Sequence, residues 1–125
     1  MPDISQQKPL FTESGVVENG TEVARKVGFP TANIHFEEPS LASGTYAGKV
    51  LIDGTEYQSA VYVNQERHLL ESHLFDFSGD LYGKKITVVL LEKLADMKNF
   101  RGAQDQQSFI EWVVAEVRKY FDLHS

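Results

Sequence analysis

The segment 28–33, Gly-Phe-Pro-Thr-Ala-Asn, contains two polar side chains suited to binding a metal ion and phosphate. Pro30 fixes its own φ and biases Phe29 towards an extended backbone, which favours entry into a strand. Side chains two residues apart in a strand point to the same side, so Thr31 and Asn33 are expected to project together. Their hydroxyl and amide oxygens are hard, neutral ligands of the kind Mg²⁺ accepts beside substrate phosphates. An ordinary turn leading into a strand has the same composition, and spacing alone favours that simpler interpretation.

A polar loop precedes this segment at residues 19–28, Asn-Gly-Thr-Glu-Val-Ala-Arg-Lys-Val-Gly. Arg25 and Lys26 are adjacent cations that suit phosphate oxygens, Arg through its planar fork and Lys as a point charge. The loop matches neither the Walker pattern nor the dinucleotide fingerprint. By spacing alone it is interpreted as a solvated hairpin loop.

Glu71 is the carboxylate best placed for acid–base chemistry. It belongs to the stretch 69–77, Leu-Leu-Glu-Ser-His-Leu-Phe-Asp-Phe, where alternation predicts Glu71, His73, Phe75 and Phe77 on one face. A carboxylate among aromatic neighbours is partly desolvated, which raises its pKa and suits a general base. The simpler alternatives are an exposed strand acid and a structural histidine.

Alternating apolar residues predict several strands that would carry these groups. They cover residues 10–17, 45–53, 57–63, 70–77 and 85–91. Asp53-Gly54 is a dipeptide favoured in two-residue hairpin turns, and a second hairpin with a wider turn is predicted between 70–77 and 85–91. Several short antiparallel strands in so short a chain favour a closed barrel, because closure removes exposed edges.

A helix is predicted over residues 109–121, where apolar residues recur at helical spacing. The stripe consists of Phe109, Ile110, Val113, Val114, Val117, Tyr120 and Phe121. Ser108 or Asp105 is predicted to cap its start. The stripe is interpreted as core that packs on the barrel, with no chemical role.

Length and composition restrict the remaining classes of function. A chain of 125 residues suits one domain, with a flexible leader at 1–8 and the domain at 9–125. The absence of cysteine excludes disulfides, thiolate nucleophiles and cysteine zinc sites. A net charge of −6 opposes generic binding to a nucleic-acid backbone. No apolar run suggests export or a membrane span, so a cytoplasmic location is expected.

Three ordered blocks resemble the riboflavin kinase family, including the kinase module of bacterial bifunctional riboflavin kinase/FAD synthetases. Residues 28–34 are similar to the family's Pro-Thr-Ala-Asn signature, and residues 44–47 (Gly-Thr-Tyr-Ala) to its Gly-Val-Tyr-Ala strand start. Residues 71–77 and 80–83 resemble its Glu-x-His block and Leu-Tyr-Gly turn. The resemblance runs from about Gly15 to the final helix.

The resemblance implies a mainly β fold, a six-stranded antiparallel closed barrel with a C-terminal helix packed on it. It implies transfer of the ATP γ-phosphoryl group to the 5′-hydroxyl of riboflavin, giving FMN and ADP, with Mg²⁺ (or Zn²⁺ or Mn²⁺) as the metal. The expected partners are therefore riboflavin/FMN and ATP/ADP, with no nucleic acid and no membrane, and the expected state is a monomer. No segment resembles a nucleotidyl-transfer domain, so FMN adenylylation is not expected of this chain.

The resemblance also implies roles for individual residues. Glu71 is expected to orient or deprotonate the ribityl hydroxyl. Thr31 and Asn33 are expected to bind the metal. The residues expected to bind the nucleotide are Gly20, Arg25, Lys26, Gly28, Pro30, Thr31 and Asn33, and those expected to bind the flavin are Tyr82, Lys98 and Phe100.

The chain departs from the family pattern in three places. Residues 22–25 read Glu-Val-Ala-Arg where the bacterial family usually has Gly-x-Gly-Arg. Residues 62–68, beginning Tyr-Val-Asn, replace the family's Asn-Ile-Gly segment and Pro-Thr turn. Residues 94–100 contain no clear counterpart of the family's arginine before its Lys-Phe pair, although Lys98 and Phe100 match part of it.

Two alternatives belong to other classes of function. Altered loops around a retained core are typical of a barrel that holds a flavin or nucleotide for regulation without catalysis. A barrel that binds single-stranded nucleic acid by aromatic stacking is the other alternative, and the negative charge argues against it.

Overall fold

The computed structural model describes residues 8–18 and 31–124 as six strands and one helix. The strands are β1 (Phe11–Val16), β2 (Thr31–His35), β3 (Gly44–Ile52), β4 (Thr55–Asn64), β5 (Leu69–Leu74) and β6 (Lys85–Asp96). The helix, α1, is Ala103–Leu123. The predicted mainly β fold with a C-terminal helix is confirmed.

The strands form one antiparallel sheet that curls into a nearly closed barrel. Their order is β1-β6-β3-β4-β5-β2, so β1 and β2 are the two edges. The edges meet at the end of β1, where the backbone N–H of Glu18 donates to the carbonyl of Asn33 at 2.7 Å. The predicted six-stranded barrel is confirmed, and its seam lies at Asn33.

The turn between β3 and β4 confirms the predicted hairpin. Asp53 and Gly54 both have positive φ, 50° and 84°, as a two-residue type I′ turn requires. Ile52 and Thr55 face each other across it. Tyr46, Val50 and Ile52 of β3 therefore point into the barrel core, as the alternation predicts.

The predicted second hairpin is wrong, because β5 and β6 are not neighbours. β5 pairs with β2 and β4, whereas β6 pairs with β1 and β3. The connection between β5 and β6 buries Leu81 in the barrel core, and the Gly83 N–H donates to the carbonyl of Val17 beside β1. These tertiary contacts direct β6 away from β5 and towards β1.

The predicted face of Phe77 is also wrong. β5 ends at Leu74, and Asp76 has a φ of 57°, so the alternation does not continue. The Phe77 ring instead packs edge-on against Tyr57, with ring centroids 5.1 Å apart, beside the barrel core.

Gly48 allows β3 to fit between its neighbours, and Gly48→Ala is expected to destabilise the chain by about 1–3 kcal/mol through overpacking. A Cβ at this position would lie 2.7 Å from the Val89 carbonyl oxygen and 3.0 Å from Cγ2 of Val61. Urea unfolding measures the change in the free energy of unfolding. Gly102→Ala is the control for the added methyl group, because a Cβ there meets nothing within 4 Å. Its expected cost is only the loss of a glycine N-cap, about 1 kcal/mol or less. An equal effect of both substitutions would contradict the steric argument.

The helix packs on the outside of the barrel through the predicted stripe. Phe109, Val113, Val117 and Phe121 join a second apolar cluster that includes the small Ala47 and Ala60 of the sheet and the ring of Phe75. In the described part of the chain, no helix is long and apolar enough to cross a membrane.

The predicted start and caps of the helix are wrong. The helix begins at Ala103, and Gly102 occupies the N-cap position without a side-chain hydrogen bond. Asp105 and Ser108 both lie inside the helix, and Asp105 accepts instead from the Arg101 N–H at 3.3 Å. The first turn of the helix is largely exposed and carries no apolar stripe, so the apolar spacing does not reveal where the helix begins.

Candidate functional site

Four side chains form a polar row across the outer face of the barrel. Asn33 on β2 lies opposite Glu71 on β5, Glu71 lies opposite Tyr62 on β4, and Tyr62 lies opposite Thr45 on β3. Directly opposed residues in a sheet point to the same face. The register therefore places Asn33 and Glu71, which are distant in the sequence, side by side.

Thr31 shares this face one step further along β2. It lies opposite His73, as Asn33 lies opposite Glu71, so the predicted common orientation of Thr31 and Asn33 is confirmed. Asn33 is buried and Thr31 is half-buried. The two predicted metal-binding side chains thus lie along one side of the Glu71–His73 pair.

Glu71 and His73 are hydrogen-bonded to each other, which confirms that they share a face. Nε2 of His73 lies 3.0 Å from Oε1 of Glu71, and the side chains are 3% and 22% exposed respectively. A carboxylate accepts, so Nε2–H is the donor. Nδ1 of His73 is buried without a hydrogen bond in the described part of the chain. The bond from Nε2 holds the Glu71 carboxylate in place.

A pocket of about 170 Å³ opens beside Glu71, between the sheet and the first turns of α1. Phe100 and Phe109 lie against each other in its wall, with ring centroids 5.4 Å apart, and Nζ of Lys98 lies 5.2 Å from the Phe109 ring. The pocket thus brings Glu71 together with two of the predicted flavin-binding residues. Its lining consists of Gly44, Thr45, Tyr62, Glu71, His73, Met97, Lys98, Phe100, Gln106, Phe109 and Ile110.

Tyr82, the third predicted flavin-binding residue, lies elsewhere. It is 64% exposed and lines a separate, open pocket of about 610 Å³ with Asn33 and Arg67. The remaining lining residues are Val16, Val17, Glu18, Leu69 and Gly83. The structure therefore brings Tyr82 together with Asn33, and not with Lys98 and Phe100.

Most of the predicted nucleotide-binding loop lies outside the described residues. The residues concerned are Gly20, Arg25, Lys26, Gly28 and Pro30, and their roles stay predictions. Most of the expected leader also lies outside the described residues. The residues that flank the loop, Glu18 and Thr31, lie next to Asn33 at the barrel seam.

The donor set near Asn33 fits a metal ion bound together with phosphate. Thr31 and Asn33 offer neutral oxygens, and Glu71 places one carboxylate beside them. Within residues 8–18 and 31–124, no group of three or more His, Asp or Glu side chains is arranged to hold a metal. Mg²⁺ is commonly bound by few protein ligands plus substrate phosphates, so these residues suit Mg²⁺ that arrives with a nucleotide.

Burial and charge keep Tyr62 in its neutral form. Burial raises the pKa of Tyr62, and the negative charge of the neighbouring Glu71 raises it further. Both causes disfavour the phenolate. Tyr62 therefore contributes a neutral phenol to the row.

Sequence reasoning did not assign Tyr62, Gln106 or Phe109 to the site. Gln106 and Phe109 face the pocket although the helix stripe was interpreted as core alone. Helical spacing contains a signal for Gln106, because it precedes Phe109 by three residues and Ile110 by four, on the buried face. For Tyr62 the departure from the family's Asn-Ile-Gly segment is the available signal.

The family model for riboflavin kinase (Flavokinase) matches residues 7–121. The chain belongs to the riboflavin kinase family. A bifunctional riboflavin kinase/FMN adenylyltransferase of Escherichia coli K12 is 35% identical over 121 residues, which is 90% of this chain and 39% of that protein. The protein of the same description from Mycoplasma pneumoniae is 34% identical over 118 residues, 91% of this chain and 44% of that protein. The chain thus spans about two fifths of these bifunctional relatives.

The barrel also resembles a solved structure. The crystal structure of riboflavin kinase from Trypanosoma brucei superimposes with a TM-score of 0.64 at 22% identity, covering 89% of this chain and 79% of that one. At this identity the likeness supports the fold alone.

Proposed function

We propose that the chain is a riboflavin kinase that transfers the γ-phosphoryl group of ATP to the 5′-hydroxyl of riboflavin. The observation that carries this proposal is the position of Glu71. It lies between Asn33, at the edge of one pocket, and the aromatic pocket under α1. A group at this junction can contact an acceptor hydroxyl from one pocket and a phosphoryl group from the other.

The proposed chemistry uses Glu71 at the acceptor. The riboflavin 5′-oxygen forms a bond to the γ-phosphorus, the bond from that phosphorus to the β,γ-bridging oxygen breaks, and the hydroxyl proton passes to Glu71. ADP and FMN are the products. Phosphoryl transfer has a loose transition state, so positioning and charge neutralisation contribute more than proton abstraction. The His73 hydrogen bond supports this role because it holds the carboxylate in one orientation.

Thr31 and Asn33 are the proposed ligands of Mg²⁺ and the nucleotide phosphates. When bound, the ion neutralises phosphate charge, which is needed in a chain whose net charge is −6. The loop residues Gly20, Arg25, Lys26, Gly28 and Pro30 are proposed to complete the nucleotide site. We also place Tyr82 on this side rather than against the flavin, because it lines the same pocket as Asn33.

The aromatic pocket is the proposed site of the flavin. Phe100 and Phe109 line this pocket with aromatic rings against which a planar heterocycle can pack, and aromatic contacts are favourable beyond area burial alone. Lys98 adds a cation at the exposed side of the same wall.

We predict that the purified chain forms FMN from riboflavin, ATP and Mg²⁺, detected by chromatography of the fluorescent flavins. FMN should not form when either ATP or the metal is omitted. Folded protein that binds riboflavin or FMN yet forms no product across several metals and nucleotides would contradict the kinase. It would favour the regulatory flavin-binding alternative, which the altered residues 22–25 also suggest.

A further inference from the structure

Tyr62 contributes a hydroxyl to the site that has no partner in the chain as described. The residue lies between Glu71 and Thr45 in the polar row and lines the aromatic pocket. Its hydroxyl oxygen is buried and forms no hydrogen bond with residues 8–18 or 31–124. A buried hydroxyl without a partner is unfavourable, and phenylalanine would fill the same space without that cost. Such a group in a native structure needs an explanation.

The surroundings of Tyr62 fix its position relative to Glu71. Its ring packs on the His73 imidazole, with centroids 4.5 Å apart and an angle of 56° between the planes. His73 in turn holds the Glu71 carboxylate. The phenol stays neutral, since burial and the charge of Glu71 both raise the pKa of Tyr62. A neutral phenol can donate a hydrogen bond and can also accept one, so it can pair with an alcohol hydroxyl in either direction.

We propose that the Tyr62 hydroxyl binds a hydroxyl of the ribityl chain and holds the acceptor beside Glu71. The inference rests on the proposed function and adds a substrate-binding residue to it. The ribityl chain is the fitting part of riboflavin, because Tyr62 lies in the polar row, whereas Phe100 and Phe109 provide the aromatic wall. Met97 and Lys98 line the same pocket and are exposed, flexible side chains.

This contact would be a feature of this chain within the family pattern. Residues 62–64, Tyr-Val-Asn, stand where the family commonly has Asn-Ile-Gly. The side chain at the first of these positions faces the site because it lies directly opposite Glu71. A tyrosine at that place brings a hydroxyl together with an aromatic ring that packs against His73.

The test compares Tyr62→Phe with the wild-type chain. We expect the dissociation constant for riboflavin, measured by quenching of its fluorescence, to rise about threefold to tenfold, as for loss of one neutral hydrogen bond. Lumiflavin, which has no ribityl chain, should bind both proteins equally. Without ligand, Tyr62→Phe should resist urea at least as well as the wild type, because the substitution removes a buried hydroxyl that has no partner among the described residues. A purely structural role for Tyr62 would not give this combination.

Tyr46→Phe is the matched control. The Tyr46 hydroxyl donates to the Ala42 carbonyl at 2.7 Å, and the ring lies in the barrel core. Its loss should lower stability and leave riboflavin affinity unchanged.

Three outcomes would overturn the inference. If the wild type binds riboflavin and Tyr62→Phe binds it equally well, the contact does not exist while the proposed function stands. If affinity for lumiflavin falls as much as affinity for riboflavin, Tyr62 does not act on the ribityl chain. If the wild type binds no riboflavin, the proposed function fails and this inference fails with it.

Discussion

Glu71→Gln is expected to lower kcat for FMN formation by about 10²- to 10⁴-fold, the usual contribution of a positioned general base. The amide retains the size of the side chain, and its oxygen can still accept from Nε2 of His73, so the geometry of the pair is preserved. What is lost is the negative charge and the ability to take the hydroxyl proton. The KM for ATP should change little, because Glu71 acts on the acceptor. Steady-state kinetics with each substrate varied in turn give both constants.

Glu92→Gln on β6 is the matched control for this substitution. Glu92 is an exposed strand glutamate, so the same chemical change there should leave kcat unaltered. Equal losses in kcat and in ATP affinity for Glu71→Gln would contradict the division of labour between Glu71 and the nucleotide site. Full activity of the variant would remove Glu71 from the mechanism.

The local parts of the fold could be predicted from the sequence, and the pairing of distant strands could not. Alternation and the Asp53-Gly54 turn place β3 and β4 correctly, because the information lies within one hairpin. The choice of neighbours for β6 depends on where Leu81 is buried and on the bonds between residues 83–84 and Val17. These contacts join segments far apart in the chain, and no local pattern specifies them. The predicted hairpin between β5 and β6 was wrong for that reason.

The candidate site was predictable in its parts and not in its arrangement. The resemblance named Asn33 and Glu71, but their side-by-side position depends on the register between β2 and β5. The resemblance assigns Tyr82, Lys98 and Phe100 to one flavin site, yet sequence order does not reveal that Tyr82 lines a different pocket from the other two. A tyrosine in an alternating strand is typical of ordinary core packing, so the sequence does not single out Tyr62. Its unpartnered hydroxyl becomes visible only when burial and hydrogen bonds are known.

Asn33→Ala is expected to weaken binding of the magnesium–nucleotide complex by at least about 10- to 100-fold. Loss of a residue that only hydrogen-bonds to a metal ligand already has an effect of this size. The substitution removes an amide oxygen from the buried end of the polar row and leaves Glu71 and His73 in place. The KM for ATP should therefore rise, and the Mg²⁺ concentration needed for half-maximal activity should rise with it. Riboflavin affinity should be nearly unchanged, because Asn33 does not line the aromatic pocket.

Titration of Mg²⁺ at fixed ATP separates this role from a purely structural one. Asn99→Ala, an exposed asparagine outside both pockets, is the control and should reproduce the wild-type curve. In Asn33→Ala, excess Mg²⁺ should recover part of the lost rate, since mass action offsets a weakened metal site. A lower kcat with an unchanged Mg²⁺ requirement would instead mean that the buried Asn33 side chain supports packing at the barrel seam and does not bind the metal. The Mg²⁺ requirement therefore reports on the side-chain ligand alone, because the backbone hydrogen bond at the seam survives the substitution.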